Sequence, residues 1–163
     1  MNPAIYPGTF DPITYGHLDL VERSLKLFSQ LIVAVGHNPE KTPLFSVEDR
    51  VQMIREVTSD YAEVEVTQYS GLLVDFVTER QIFTVVRSLR TTTEYEAELS
   101  MALANRQLNE NLEVVFLTPS LEFTYLSSTT VREIAQFGGE LSPFVPPLVA
   151  EKLRARFNDE GKD

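Results

Sequence analysis

The sequence predicts an α/β fold: one domain on a five-stranded parallel sheet, with helices on both faces. Three observations predict it. Short apolar runs alternate with longer segments whose apolar residues recur at helical spacing. The runs are apolar nearly throughout, as in strands buried on both faces. A length of 163 residues, 43% of them hydrophobic and 23% charged, suits one compact domain with a real core.

The elements follow in order. Residues 4–6 form the first strand, and Leu18, Val21, Leu25 and Phe28 mark the helix after it. Residues 31–35 form a second strand. Ser46-Val47-Glu48-Asp49 is a Ser-x-x-Asp capping box, and Val47, Val51, Ile54 and Val57 continue its helix. Val64 and Val66 mark a third strand; Leu72, Leu73, Phe76 and Val77 mark a helix; residues 83–86 form a fourth strand. A longer helix over 94–108 precedes a fifth strand at 114–117. Val131, Ile134 and Ala135 lie on a helix that Gly138-Gly139 ends. Pro143, Pro146 and Pro147 break the chain before a last helix at 148–157, and 158–163 reads as a polar, frayed tail. Residues 1–157 are thus expected to form a single Rossmann-like domain.

Composition bounds the function. A formal net charge of -10 argues against a duplex DNA binder but leaves room for a phosphorylated small molecule held by a few focused cations. With no cysteine, thiolate catalysis and cysteine-type zinc sites are excluded. No apolar run could span a bilayer and no signal peptide precedes Ile5, so the expectation is a soluble cytoplasmic protein.

Ligands of such folds bind beyond the carboxyl ends of the strands. Thr9, Phe10 and His17 follow the first strand, and His37, Asn38 and Lys41 the second. Ser70 to Leu73 follow the third, Arg87 and Arg90 the fourth, and Ser120 through Arg132 the fifth. Two arginines and a lysine at one rim of an acidic chain suggest an anion site, although any one of them alone is more often a solvated loop charge. Neither G-x-x-x-x-G-K-[ST] nor G-x-G-x-x-G is present, so phosphates must be held another way. A helix N-terminus is one route. Gly16 would let a phosphate approach the backbone, and His17, in the first turn, could donate to charge developing during phosphoryl or nucleotidyl transfer. Ser127-Ser128-Thr129-Thr130 is a second helix start, which alone reads as simple N-capping.

Thr14-x-Gly16-His17 behind Tyr6-Pro7-Gly8-Thr9-Phe10-Asp11-Pro12 resembles the signature of the T/H-x-G-H nucleotidyltransferases. The closer resemblance is to the bacterial phosphopantetheine adenylyltransferases. It extends through Lys41, Leu72-Leu73, Val86-Arg87-Ser88-Leu89-Arg90, Asn105-Arg106-Gln107-Leu108, Phe116 to Ser120, Leu126 to Glu133 and Phe144-Val145-Pro146. It implies adenylyl transfer from ATP to 4'-phosphopantetheine, giving dephospho-coenzyme A and pyrophosphate in coenzyme A synthesis, without a covalent enzyme intermediate.

The resemblance assigns catalysis to His17, Lys41 and Arg87. Thr9 would contact the attacking phosphate and the nucleotide, and Lys41 and Arg87 would clamp the phosphopantetheine phosphate as ligand groups rather than fold supports. Leu73 would touch the pantetheine arm. Phe10, Ser88, Leu89, Arg90, Glu98, Phe123, Thr124, Tyr125, Leu126, Ser127, Ser128 and Thr129 would complete the ATP site, with His17 placed where positive charge is useful. Mg²⁺ would travel with ATP, with no dedicated protein cage. A homo-hexamer with coenzyme A as feedback ligand is also implied, with no nucleic acid or membrane partner. Three positions depart from the family pattern: Tyr15 for asparagine, Ser88 for the glycine of Arg-Gly-Leu-Arg, and Ala97 for tyrosine. A negative φ at Ser88 is the expectation. A cytidylyltransferase, a nicotinamide mononucleotide adenylyltransferase and a catalytically silent nucleotide-binding module remain the alternatives.

Overall fold

The computed structural model describes residues 2–37 and 42–160. Five strands, β1 (Ala4–Gly8), β2 (Leu31–His37), β3 (Val64–Ser70), β4 (Thr84–Ser88) and β5 (Glu113–Leu117), form one parallel sheet in the order β3-β2-β1-β4-β5. Between and after them run α1 (Tyr15–Leu25), α2 (Val47–Val57), α3 (Leu73–Arg80), α4 (Thr92–Leu108), α5 (Ser128–Gln136) and α6 (Pro147–Glu160), with a 3₁₀ turn at Leu121–Phe123. The five-stranded α/β prediction is therefore met element by element.

The period-2 geometry of the strands splits their side chains between two cores. Ala4, Tyr6, Val33, Val35 and Val86 face a large core closed by Leu20 and Val21 of α1, Met53 and Ile54 of α2, Val131 of α5 and Leu153 of α6. Ile5, Ile32, Ala34 and Val85 face a smaller one closed by Val74 and Val77 of α3 and by Leu112. This second face is thinly covered, and α4 beyond it leaves Tyr95, Met101, Leu103 and Leu108 exposed.

Two ends differ from the sequence reading. α6 runs to Glu160, into the segment expected as a frayed tail, because Asn158 and Asp159 continue the turn begun at Pro147. Phe28 lies outside α1, which closes at Leu25, but its ring still packs on the large core. The Ser46 cap forms as expected, accepting from the Asp49 amide at 3.1 Å. Gly138, at φ 71°, takes the left-handed position that ends α5.

Candidate active site

In the strand order 3-2-1-4-5, the chain leaves β1 toward β2 on one side and passes to β4 and β5 on the other. The carboxyl ends of β1 and β4 therefore border the crevice in which such sheets bind ligands. Pro7-Gly8 closes β1 there and Arg87-Ser88 closes β4. Two adjoining cavities open at this point. One is lined by residues including Gly8, Gly16, His17, Arg87, Ser88, Glu94, Glu98 and Phe123. The other is lined by Thr9, Asp11, Thr42, Ser127, Ser128, Thr129 and Arg132 among others. Phe10, His17 and Arg90 border both.

His17 is the third residue of α1 and one half of a capping box that the sequence reading did not anticipate. The Thr14 hydroxyl accepts from the His17 amide, and the Thr14 amide donates to His17 Nδ1 at 3.0 Å. A backbone N–H can only donate, so Nδ1 must be unprotonated and the neutral ring carries its proton on Nε2. Burial, aided by the Arg90 charge, pulls the imidazole from 6.5 to about 4. The expectation of positive charge at His17 is therefore corrected. At neutral pH the side chain is an uncharged Nε2–H donor.

The loop before α1 is shaped by a close fit. Phe10 sits at φ 49°, in the left-handed region that favours glycine, at a cost of order 1 kcal/mol. Its buried ring meets Tyr6 edge-on at 5.2 Å and His17 at 5.1 Å. A Cβ on Gly8 would lie 2.8 Å from that ring, so the glycine makes room for Phe10. Gly16 differs. A Cβ there would come no closer than 3.6 Å to its neighbours, so protein packing does not require the glycine, and the missing side chain leaves the first cavity open beside His17.

Two polar residues that sequence reading missed hold this loop. The Asp11 carboxylate accepts from the amides of Leu44 at 2.8 Å and Phe45 at 3.0 Å and faces Arg132 at 3.5 Å. Arg132 also donates to the Asp11 carbonyl. Arg50, 1% exposed, donates to the carbonyls of Thr9 (2.6 Å), Gly36, Phe45 and Ser46. Burial lowers its pKa, and Asp11 and Glu48 partly offset this. Neither residue announces itself: a loop acid such as Asp11 and a charge on an amphipathic helix such as Arg50 normally face water. The only local signal for Arg50 is its place among the apolar Val47, Val51 and Ile54.

The rim arginines are in place but already partnered. Arg87 forks onto Glu98, with Nε to Oε2 at 2.8 Å, and its Nη1 donates to the Pro7 carbonyl at 2.9 Å. Arg87 therefore also ties β4 to β1 and α4, which corrects the reading of it as a ligand group without a role in the fold. Arg90 pairs with Glu94 and donates to the Leu126 carbonyl at 2.6 Å.

The remaining expected residues divide. Thr9 is exposed in the second cavity. Ser127 is the N-cap of α5, accepting from the Thr130 amide at 3.1 Å, as its simplest reading held. Ser128 donates to the Pro12 carbonyl at 2.8 Å, and Thr129 accepts from Arg132. Ser88 is extended at the end of β4, consistent with the expected negative φ, since only Phe10 and Gln81 are positive-φ non-glycines among the described residues. Leu126 is buried in the core. Leu73 packs on the smaller core at the start of α3, Leu89 bonds through its amide to Leu117, and Thr124 donates to the Ser120 carbonyl. Tyr125 is 65% exposed. None of these five is among the lining of the two cavities. Lys41 lies outside the described residues.

The arrangement can hold polyphosphate against arginines and the N-terminus of α5, while Nε2–H of His17 donates to a reacting oxygen. Residues 5–134 match the family described as Cytidylyltransferase-like. A protein of Caldanaerobacter subterraneus subsp. tengcongensis named phosphopantetheine adenylyltransferase is 49% identical over 157 residues, 96% of this chain and 98% of its own. One of the same name from Thiobacillus denitrificans is 48% identical over 98% of this chain and 99% of its own. Another, from Thermodesulfovibrio yellowstonii, is 50% identical over 94% and 96%.

Proposed function

From a chain that belongs to the Cytidylyltransferase-like family and, within it, to the phosphopantetheine adenylyltransferases, we infer adenylyl transfer from ATP to 4'-phosphopantetheine. A phosphate oxygen of phosphopantetheine attacks the α-phosphorus of ATP. The bond from that phosphorus to the bridging oxygen of the β-phosphate breaks, and pyrophosphate leaves. No covalent enzyme intermediate is required, so catalysis consists of positioning and charge stabilisation.

The observation that carries the reading is His17. A half-buried neutral ring with its proton fixed on Nε2 stands between a cavity bordered by Arg87 and one bordered by the start of α5. Its N–H donates to the α-phosphate as negative charge shifts toward the bridging oxygen. Arg90 and the first turn of α5 take the ATP phosphates, Ser88 and Phe123 flank the nucleoside, and Arg87 with Lys41 takes the acceptor's phosphate. Thr9 faces the nucleophile. Nucleotidyltransferases of this family generally use Mg²⁺ with ATP. Here Mg²⁺ would accompany the nucleotide, whose phosphates Arg90 and the start of α5 would hold, and would help neutralise their charge.

The test is pyrophosphate release with ATP and a panel of acceptors. Phosphopantetheine is expected to give it, and nicotinamide mononucleotide or a CTP-dependent acceptor is not. Pyrophosphate only with another acceptor would assign the chain to a different reaction of the family.

The same proposal includes coenzyme A as a feedback ligand, a cytoplasmic setting and a homo-hexamer. No helix among the described residues is long and apolar enough to cross a membrane. The exposed Tyr95, Met101, Leu103 and Leu108 of α4 support assembly, since apolar residues grouped on one element mark a contact surface. Light scattering at micromolar concentration is expected to give a mass near six times 18.5 kDa. A monomer would remove the assembly from the proposal.

A further inference from the structure

Arg90 borders both cavities, and its best anion seat is already taken. Three donors of this residue converge on one carboxylate. Nε and the backbone amide both reach Glu94 Oε2 at 3.2 Å, and Nη2 reaches Oε1. Two guanidinium N–H groups plus a backbone N–H form a cradle suited to a phosphate as well as to a carboxylate.

The carboxylate that fills the cradle is not needed to start its helix. Thr91 caps α4, accepting from the Glu94 amide at 3.2 Å. An acid at this third helical position commonly bonds back to the cap residue's own amide, whereas Glu94 reaches one residue farther, to the Arg90 amide. Its side chain is one-third exposed and borders the first cavity, so a rotamer change carries it into water. Arg90 itself stays anchored by its bond to the Leu126 carbonyl.

We propose that Glu94 is an internal competitor for the phosphate seat of Arg90: an incoming polyphosphate displaces its carboxylate, and this residue thereby sets the affinity of the cleft for the triphosphate. The inference rests on the cleft being a nucleotide site, as proposed above. The seat is open only in the fraction of molecules where the carboxylate has turned away, and apparent affinity is reduced by that fraction. A residue that merely oriented Arg90 would act in the opposite sense, since its removal would weaken binding.

The sign of the effect decides. Calorimetry on the full chain would compare wild type, Glu94→Gln and Glu94→Ala, with ATP and with inorganic pyrophosphate as separate probes. Both variants are expected to bind both probes about tenfold more tightly, with adenosine binding unchanged. In an Arg90→Ala background the gain is expected to vanish, because the two residues act as one pair. Weaker or unchanged binding of pyrophosphate in both variants would overturn the proposal, as would pyrophosphate that binds none of the three proteins. The pyrophosphate arm does not depend on which nucleotide or acceptor the enzyme uses. A wild-type protein that ignores ATP while the variants tighten on pyrophosphate would therefore sink the substrate reading and leave the competitor standing.

Discussion

His17→Ala is expected to lower kcat by about 10²–10³-fold, the scale of removing one donor aimed at developing charge, with a much smaller change in ATP affinity. The split follows from the geometry. In the proposed reading His17 contributes one N–H, whereas the arginines and the start of α5, which line the two cavities, would supply the ground-state grip on phosphate. The Thr14 hydroxyl still caps α1 in the variant, so the fold survives the change. The pH dependence carries a second signature. With its pKa near 4, the imidazole stays neutral across the physiological range, and this group should impose no fall in kcat until pH approaches that value. Stability moves in the matching direction. The unfolded chain takes up this proton near 6.5 and the folded one near 4, so the contribution is fully present above 6.5 and is lost as pH falls through about 4. Urea midpoints measured across that window should decline in the wild type and decline less in His17→Ala. A variant with normal kcat, or a kcat profile with an inflection at 6.5 traceable to His17, would contradict the assignment.

Arg50→Met is expected to destabilise the protein by about 3–5 kcal/mol, the range for removing one member of a buried charged network. Methionine fills much of the same volume but donates nothing, and the carbonyls of Thr9, Gly36 and Phe45 lose a charged donor in a place water reaches poorly. For a chain of this length the melting temperature should fall by on the order of 10 °C. Arg50→Lys should recover only part, since one ammonium cannot span four carbonyls spread over three segments. A methionine variant melting within about 2 °C of wild type would show that the network contributes little.

The sheet and the order of the helices were legible because β2, buried on both faces, leaves an uninterrupted apolar run, while Val85-Val86 of β4 and the alternating Val64 and Val66 of the edge strand β3 need no tertiary information to be read. The cleft was legible through the turn from Pro7 to His17 and the arginines after β4. Charge state and partnership were not. The neutral form of His17 depends on a backbone amide three residues back and on Arg90, which is far away in sequence. The pairing of Arg87 with Glu98 depends on how α4 lies against β4, and Glu98 reads from sequence only as another acid on a charged helix. Leu89, Thr124 and Tyr125 are assigned to the nucleotide site by the family resemblance alone, and the lining of the two cavities does not include them. Arg50 and Asp11 were missed because polar residues that satisfy backbone groups carry no periodic signature.

The wedge of Phe10 between Tyr6 and His17 has a mechanical consequence. From the central strand β1 to the imidazole runs a chain of rings in edge-on contact, and Arg50 and Asp11 hold the loop that carries it. That wall of the cleft has no slack with which to follow a substrate. The opposite wall, where α4 lends its carboxylates to Arg87 and Arg90, can answer a ligand by exchanging partners through side-chain rotation alone. The cleft thus resembles a vice with one fixed jaw and one that yields. The imidazole is seated in the fixed jaw, so a substrate that fits badly is refused by the jaw that moves and cannot pull the proton donor out of line.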